Sequence, residues 1–186
     1  MTRVRWIAPI LLLGALPVSA QPADDGGGAW FAIGAGGGWA RVSCTICRAD
    51  RDLGPAGHLR IGTSVRPGLL VGAEASAWTH SGEDDVRATV GAITGVGYVY
   101  PRPGGPLYLK GGAGYIAFRA DDDVASNLIG LVVGAGYEFP IGGRLSITND
   151  LSLVASSFGA LKNGDATAAD DVSITVIQLG VGIRRR

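Results

Sequence analysis

Most of what chemistry or nucleic-acid recognition would require is scarce in this chain. Its 186 residues include two cysteines, two histidines and one methionine, and only 17% are charged. Sixteen basic and sixteen acidic residues cancel, and a formal net charge of zero argues against a basic nucleic-acid binder. No segment reaches the roughly 18 consecutive apolar residues of a transmembrane helix. Helical periodicity is lacking as well. "GAGGGW" has the look of a phosphate-binding glycine loop, but neither a helix nor a P-loop lysine follows it, so that chemistry is discarded. What the chain does have is glycine, 31 residues of it without a Gly-X-Y period, within regular apolar segments. It is therefore neither collagen-like nor disordered.

The first residues read "MTRVRWIAPILLLGALPVSAQ". Arg3 and Arg5 form a basic start, Ile7 to Val18 an apolar stretch too short to span a bilayer, and Val18-Ser19-Ala20 a small-residue cleavage site. This predicts a secretory signal peptide over 1–20, a polar linker over 21–28 and one domain over 29–186. An uncleaved amphipathic helix is the alternative.

In the domain, apolar and small residues alternate over eight segments: Ala29–Arg41, Gly57–Arg66, Leu69–His80, Val86–Tyr100, Leu107–Ala120, Asn127–Phe139, Arg144–Ser157 and Val172–Arg184. Each has the period of two expected of a strand. In "GHLRIGTSVRP", Leu59, Ile61, Thr63 and Val65 share one face, and His58, Arg60, Gly62, Ser64 and Arg66 the other. The connections alternate in kind. Arg66–Gly68, Pro101–Pro106 and Pro140–Gly143 are tight and rich in Pro and Gly, whereas Val42–Ala56, Ser81–Asp85, Asp121–Ser126 and Gly159–Asp171 are polar and mostly longer. Tight turns at one end and long loops at the other predict an all-β, eight-stranded, antiparallel up-and-down transmembrane β-barrel.

A Gly-x-Gly-aromatic motif recurs as Gly36–Trp39, Gly95–Tyr98, Gly112–Tyr115 and Gly134–Tyr137. Alternation places the glycines on one face and the aromatic on the other. Glycines facing a narrow lumen would leave room for longer side chains there, with the aromatics outside. Two outward aromatic belts follow: Trp39 and Tyr115 at the loop end, and Phe31, Tyr98, Tyr100, Tyr137 and Phe139 at the turn end. In a soluble sandwich the same aromatics would fill a core. The membrane reading requires Phe31, Ile33, Leu69, Val71, Leu107, Leu109, Ile129, Leu131 and Val133 to face outward.

The other face carries charge. With Pro67 as a turn centre, Arg60 falls opposite Glu74; with Ile141 as a centre, Glu138 falls opposite Arg144. Lys110 and Asp150 share the inward phase. Interior ion pairs of this kind make the barrel a plug rather than a pore.

The motifs "AWFAIGAGGGWAR", "LLVGAEASAW", "GVGYVYP", "PLYLKGGAGYIAF", "VVGAGYEFPIGG" and "VIQLGVGIRRR" give the whole mature chain a resemblance to the small outer-membrane β-barrel family. These are the eight-stranded OmpA-like and opacity-type proteins of Gram-negative bacteria. The resemblance implies insertion in the outer membrane by the barrel-assembly machinery. It also implies tight turns in the periplasm, loops outside, and contact with outer-membrane lipids and lipopolysaccharide. A monomer without cofactor is expected. One departure stands out: the family usually ends in an aromatic residue, whereas this chain ends Ile183-Arg184-Arg185-Arg186.

Candidate chemistry is sparse. Cys44-Thr45-Ile46-Cys47 falls in the first outer loop, with no helix to lower a thiol pKa. Beyond an oxidising periplasm, a Cys44–Cys47 disulfide is expected. His58 and His80 lie toward the same end, which makes a Cys₂His₂ zinc site conceivable, but polar lumen residues are the simpler reading and no metal is expected. His80-Ser81 near Glu83 invites comparison with lipid-trimming barrel enzymes, although successive strand residues face opposite sides. The clusters Glu83–Asp85, Asp121–Asp123 and Asp170-Asp171 read as solvated loop tips, with divalent-cation binding as the alternative. The expected function is structural or surface-interacting, in membrane integrity or adhesion, without catalysis. The alternatives are a ligand- or metal-binding surface barrel, a lipid-modifying enzyme, and a soluble carrier of a lipophilic ligand.

Overall fold

A computed structural model of the chain describes residues 28–43, 51–82, 87–120, 124–156, 159–163 and 166–186. The strands are β1 (Ala29–Ser43), β2 (Asp52–Arg66), β3 (Leu69–Ser81), β4 (Arg87–Val99), β5 (Leu107–Ala120), β6 (Val124–Gly142), β7 (Leu145–Ser156), β8 (Gly159–Asn163) and β9 (Ala166–Arg185). Consecutive strands pair antiparallel around the sheet to β9, and β9 pairs with β1 from Phe31↔Arg185 to Ser43↔Ser173. The short β8 sits where β7 leaves off, pairing with β6 at Val124↔Asn163 and with β9 at Gly159↔Val172. The result is a closed eight-stranded barrel whose seventh position is filled first by β7 and then by β8. Closure removes the unpaired edges, as the hydrocarbon core of a membrane demands. No helix among the described residues is long and apolar enough to cross a membrane.

Through the body of the barrel, paired residues share parity: Arg60 faces Glu74, Glu74 faces Thr94 and Lys110 faces Gly134. Only beside two of the turns and along β8 does the register slip. Even-numbered side chains therefore point inward and odd-numbered ones outward. Phe31, Ile33, Val71, Leu107, Leu109, Ile129, Leu131 and Val133 are exposed on the barrel wall, and Leu69 is half-buried.

Three strands exceed their sequence-based limits by three residues or more. β2 starts at Asp52 rather than Gly57, although Gly54-Pro55-Ala56 reads as loop. Pro55 lies opposite Gly37 and is exposed on the outer side; its missing N–H weakens the ladder locally, but the pairs on either side continue. β6 starts at Val124 rather than Asn127, and the expected loop over Gly159–Asp171 contains β8 and the start of β9. These extensions continue the sheet beyond the apolar wall, and their inward neighbours are apolar: Val172 and Leu128 are buried there.

The turn end is built by glycine. Gly68 turns the β2–β3 hairpin at φ 79°, and Gly142 and Gly143 turn β6 into β7 at φ 125° and 56°. Such angles are open to glycine at little steric cost.

Candidate functional site: the barrel interior and its loop-end rim

Inside the turn half, charge is concentrated. Arg60 Nε donates to Glu74 Oε2 at 2.7 Å and Arg60 Nη2 to Asp150 Oδ1 at 2.6 Å. Lys110 Nζ donates to both Glu74 oxygens at 2.9 Å and to Asp150 Oδ1 at 3.1 Å. Two cations and two anions thus form a neutral square drawn from β2, β3, β5 and β7. Tyr98 and Tyr108 hydroxyls donate to Glu74 Oε2 and Asp150 Oδ2 at 3.2 and 2.9 Å, and the Ser152 hydroxyl to Asp150 Oδ1 at 2.6 Å. All four charged side chains are buried. Paired and hydrogen-bonded in this way, they satisfy the condition under which buried charge is tolerable.

A second cluster seals the turn end. Arg184 is fully buried and its Nη1 donates to Glu138 Oε2 at 2.8 Å and to the Tyr100 hydroxyl. Tyr100 donates to the same Glu138 oxygen at 2.7 Å, and the half-exposed Arg186 adds a bond at 2.9 Å. The Arg184 guanidinium carbon lies 4.8 Å from the Trp30 ring centre, 5.2 Å from that of Tyr108 and 5.5 Å from that of Tyr98. Among the described residues its Nε and Nη2 meet no hydrogen-bond acceptor; the surrounding aromatic faces supply cation–π attraction instead.

These large side chains fit because their neighbours have no side chain. A Cβ on Gly136 would run into the Tyr108 ring, one on Gly134 would meet Lys110 Cε at 2.9 Å, and one on Gly62 would meet Trp30 Cζ2 at 2.7 Å. Higher in the lumen the filling becomes apolar: Trp78, Val90, Ile116, Phe118, Leu128, Val132, Val154, Val172, Ile174 and Val176 are all buried. Trp78 anchors this core by donating from Nε1 to the Gly38 carbonyl at 2.9 Å. Between the two halves, a cavity of ≈ 10 Å³ is lined by His58, Asp150, Gln178 and small residues of β1, β2 and β9.

Two of the sequence-based placements need correction. Tyr98 and Tyr100 are not in an outward belt; both are buried in the lumen. β4 carries its Gly-x-Gly-Tyr motif in the opposite phase, with Gly95 and Gly97 on the outer wall, because Thr94 opposes the inward Glu74 and Tyr98 follows with the same parity. Arg144 is not the partner of Glu138. Because Gly142 and Gly143 both take positive φ, the β6–β7 register shifts, Glu138 opposes Thr148, and Arg144 is exposed at the turn. The cation that Glu138 meets is Arg184. Phe31, Trp39, Tyr115 and Tyr137 are exposed on the outer wall, and Phe139 packs against Tyr137 with ring centres 4.6 Å apart. Arg60 and Glu74 face one another in the register.

At the turn end, two inward aromatics and a cation escaped the sequence reading: Trp30, Tyr108 and Arg184, besides the misplaced Tyr98 and Tyr100. The parity of Lys110 points Tyr108 inward, and the run Gly180, Gly182, Arg184 points the arginine inward, so the signal was present. Cys44 and Cys47 lie outside the described residues, as do residues 1–27, Glu83, Asp84, Asp85 and Asp121–Asp123. His80 Nδ1 lies 2.9 Å from the Leu53 carbonyl, to which it donates, and the ring stacks on Trp78, while Ser81 is exposed. Among the described residues, no three His, Cys, Asp or Glu side chains come together to hold a metal.

A closed antiparallel barrel with an apolar outer wall and a polar, charge-paired interior at membrane depth is a transmembrane β-barrel. The sequence profile of the outer membrane protein beta-barrel domain matches residues 8–184, and the chain belongs to that family. It resides in the bacterial outer membrane. The fold is similar to that of Neisserial surface protein A, with TM-score 0.56 and 14% identity over 85% of this chain and 98% of that one. It is also similar to Ail, the attachment invasion locus protein of Yersinia pestis, with TM-score 0.54 and 15% identity over 84% and 98% of the two chains. A major outer membrane protein from Thermus thermophilus gives TM-score 0.54 and 17% identity over 84% and 99%. No curated protein matches the chain in sequence.

Proposed function

We propose that this protein is a sealed, non-catalytic barrel that serves the outer membrane structurally and meets its surroundings through the loop end. In this reading the tight turns lie in the periplasm and the loops lie outside. The observation that carries it is the filled interior: the Arg60–Glu74–Lys110–Asp150 square and the Glu138–Arg184 pair block the turn half, and an apolar core from Trp78 to Val176 blocks the loop half. A solute path would need to break two independent layers. A lumen of this kind gives rigidity to strands that run past the membrane and display the loops.

Planar-bilayer recording tests the reading. Purified protein is expected to give no stepwise conductance, and loss of the protein from its bacterium to increase entry of a hydrophobic dye. Regular single-channel steps from folded protein would overturn the sealed barrel.

A further inference from the structure

The outer wall is recessed at one place on the loop-end boundary. A groove of ≈ 120 Å³ is lined by Trp39, Arg41, Arg51, Thr175 and Ile177. Three chain segments build it. Trp39 pairs with Ile177 and Arg41 with Thr175 across β1 and β9, and Arg51 immediately precedes β2, whose Leu53 pairs with Trp39. Trp39 and Ile177 end the apolar wall that continues below as Leu179, Val181 and Ile183. Arg41 and Thr175 begin the first polar row above it. The groove therefore straddles the boundary between hydrocarbon and water, with an apolar floor on one side and two exposed guanidinium groups and a hydroxyl on the other.

We infer that this groove binds the phosphorylated headgroup of a lipid in the surrounding leaflet, with an acyl chain lying along Trp39 and Ile177. Two guanidinium groups present forked N–H donors that match phosphate oxygens, and charge-assisted bonds of that kind are the strong ones. Tryptophan favours this boundary level, where its ring is apolar and its N–H meets water. A free anion in solution would gain nothing from the apolar floor, and an uncharged lipid nothing from the arginines. Only a ligand with both parts uses the whole lining. The leaflet follows from the orientation proposed above, on which this part of the inference rests: with loops outside it is the outer one, and the lipid a phosphorylated glycolipid of the lipid A class.

Native mass spectrometry of the protein in detergent micelles, with bisphosphorylated or dephosphorylated lipid A added, tests the site without reference to orientation. Wild-type protein is expected to retain the bisphosphorylated lipid about tenfold better than the dephosphorylated one, the scale of a lost charge-assisted contact. The double variant Arg41→Gln, Arg51→Gln should lose that preference, Arg41→Lys, Arg51→Lys should keep part of it, and Arg102→Gln at the turn end should keep all of it. A heat-dependent gel shift verifies that each variant is folded; if the glutamine variant does not fold, the comparison of the two lipids on wild-type protein decides. Equal retention of both lipids, or an unchanged preference in the folded glutamine variant, overturns the site. So does complete displacement by millimolar inorganic phosphate, which would mark a free-anion site. Orientation fails separately, if protease added to whole cells leaves the loops uncut.

Discussion

β9 crosses two environments, and both of its faces change character at the same residue. From Ile177 toward the C-terminus, Ile177, Leu179, Val181 and Ile183 face outward and Gln178 and Arg184 face inward. Before it, Val172, Ile174 and Val176 face inward and are buried, while Asp171, Ser173 and Thr175 face outward. Direction does not change; only the exterior does. Where lipid is the exterior, apolar groups gain little by turning inward, and the lumen is free to hold charge. Where water is the exterior, the hydrophobic effect draws the same residue types to the inside. β5 repeats the switch, with Tyr108 and Lys110 inward below and Ile116 and Phe118 inward above. Burial alone thus does not define a hydrophobic core in this molecule.

The largest expected effect of breaking the comparison lies in the turn half. Arg60→Ala leaves Glu74 and Asp150 each short of a cation at the centre of the square. Removing one partner from a buried pair costs about 3–5 kcal/mol, read as a fall in the urea midpoint of protein folded in lipid vesicles. Adding Asp150→Asn should recover part of the loss, because the remaining Lys110–Glu74 pair is then balanced. In the loop half, Ile116→Ala should cost about 2–5 kcal/mol through loss of packing, and Asp150→Asn should do nothing for it. If both variants respond alike to the second substitution, the two halves are not held by different forces.

Strand existence and most inward phases were legible because alternation is strong wherever one face carries charge or long aliphatics. Arg60 in β2, Lys110 in β5 and Asp150 in β7 fix their strands unambiguously. β4 lacks such a marker: its inward Val90, Ala92 and Val96 resemble its outward Ile93 and Val99, and Thr94 is the single polar inward residue within the membrane-depth part before Tyr98. Only its register against Glu74 decides the phase, and register is a property of two strands. Arg144 was misplaced for a related reason, since the positive φ values at Gly142 and Gly143 that set the turn are chosen by the folded hairpin. Arg184 was hidden in a run of three arginines that reads as a tail, although its neighbours Arg185 and Arg186 take different environments. The expectation of a long loop over Gly159–Asp171 failed because β8 and the start of β9 are held there by pairing with one another and with β6, and pairing between two polar segments leaves little mark in either segment alone.

The inversion itself gives the smallest and most discriminating pair of substitutions, both on the outward face of β9. Val181 is 57% exposed on the apolar wall, opposite Asn149 on β7 and Ala35 on β1. Its change to arginine places a charge toward hydrocarbon and should cost about 2–4 kcal/mol at the midplane, less if the side chain reaches an interface. Ser173 occupies the same face of the same strand, opposite Ser43, above the level at which the wall turns polar. Ser173→Arg should change stability by no more than about 0.5 kcal/mol, as surface substitutions in water do. Both are read from urea midpoints in the same vesicles, so differences in strand propensity largely cancel. A comparable loss at both positions would mean that hydrocarbon extends past Ile177, and the apolar core from Val172 to Val176 would then need another cause than water outside it.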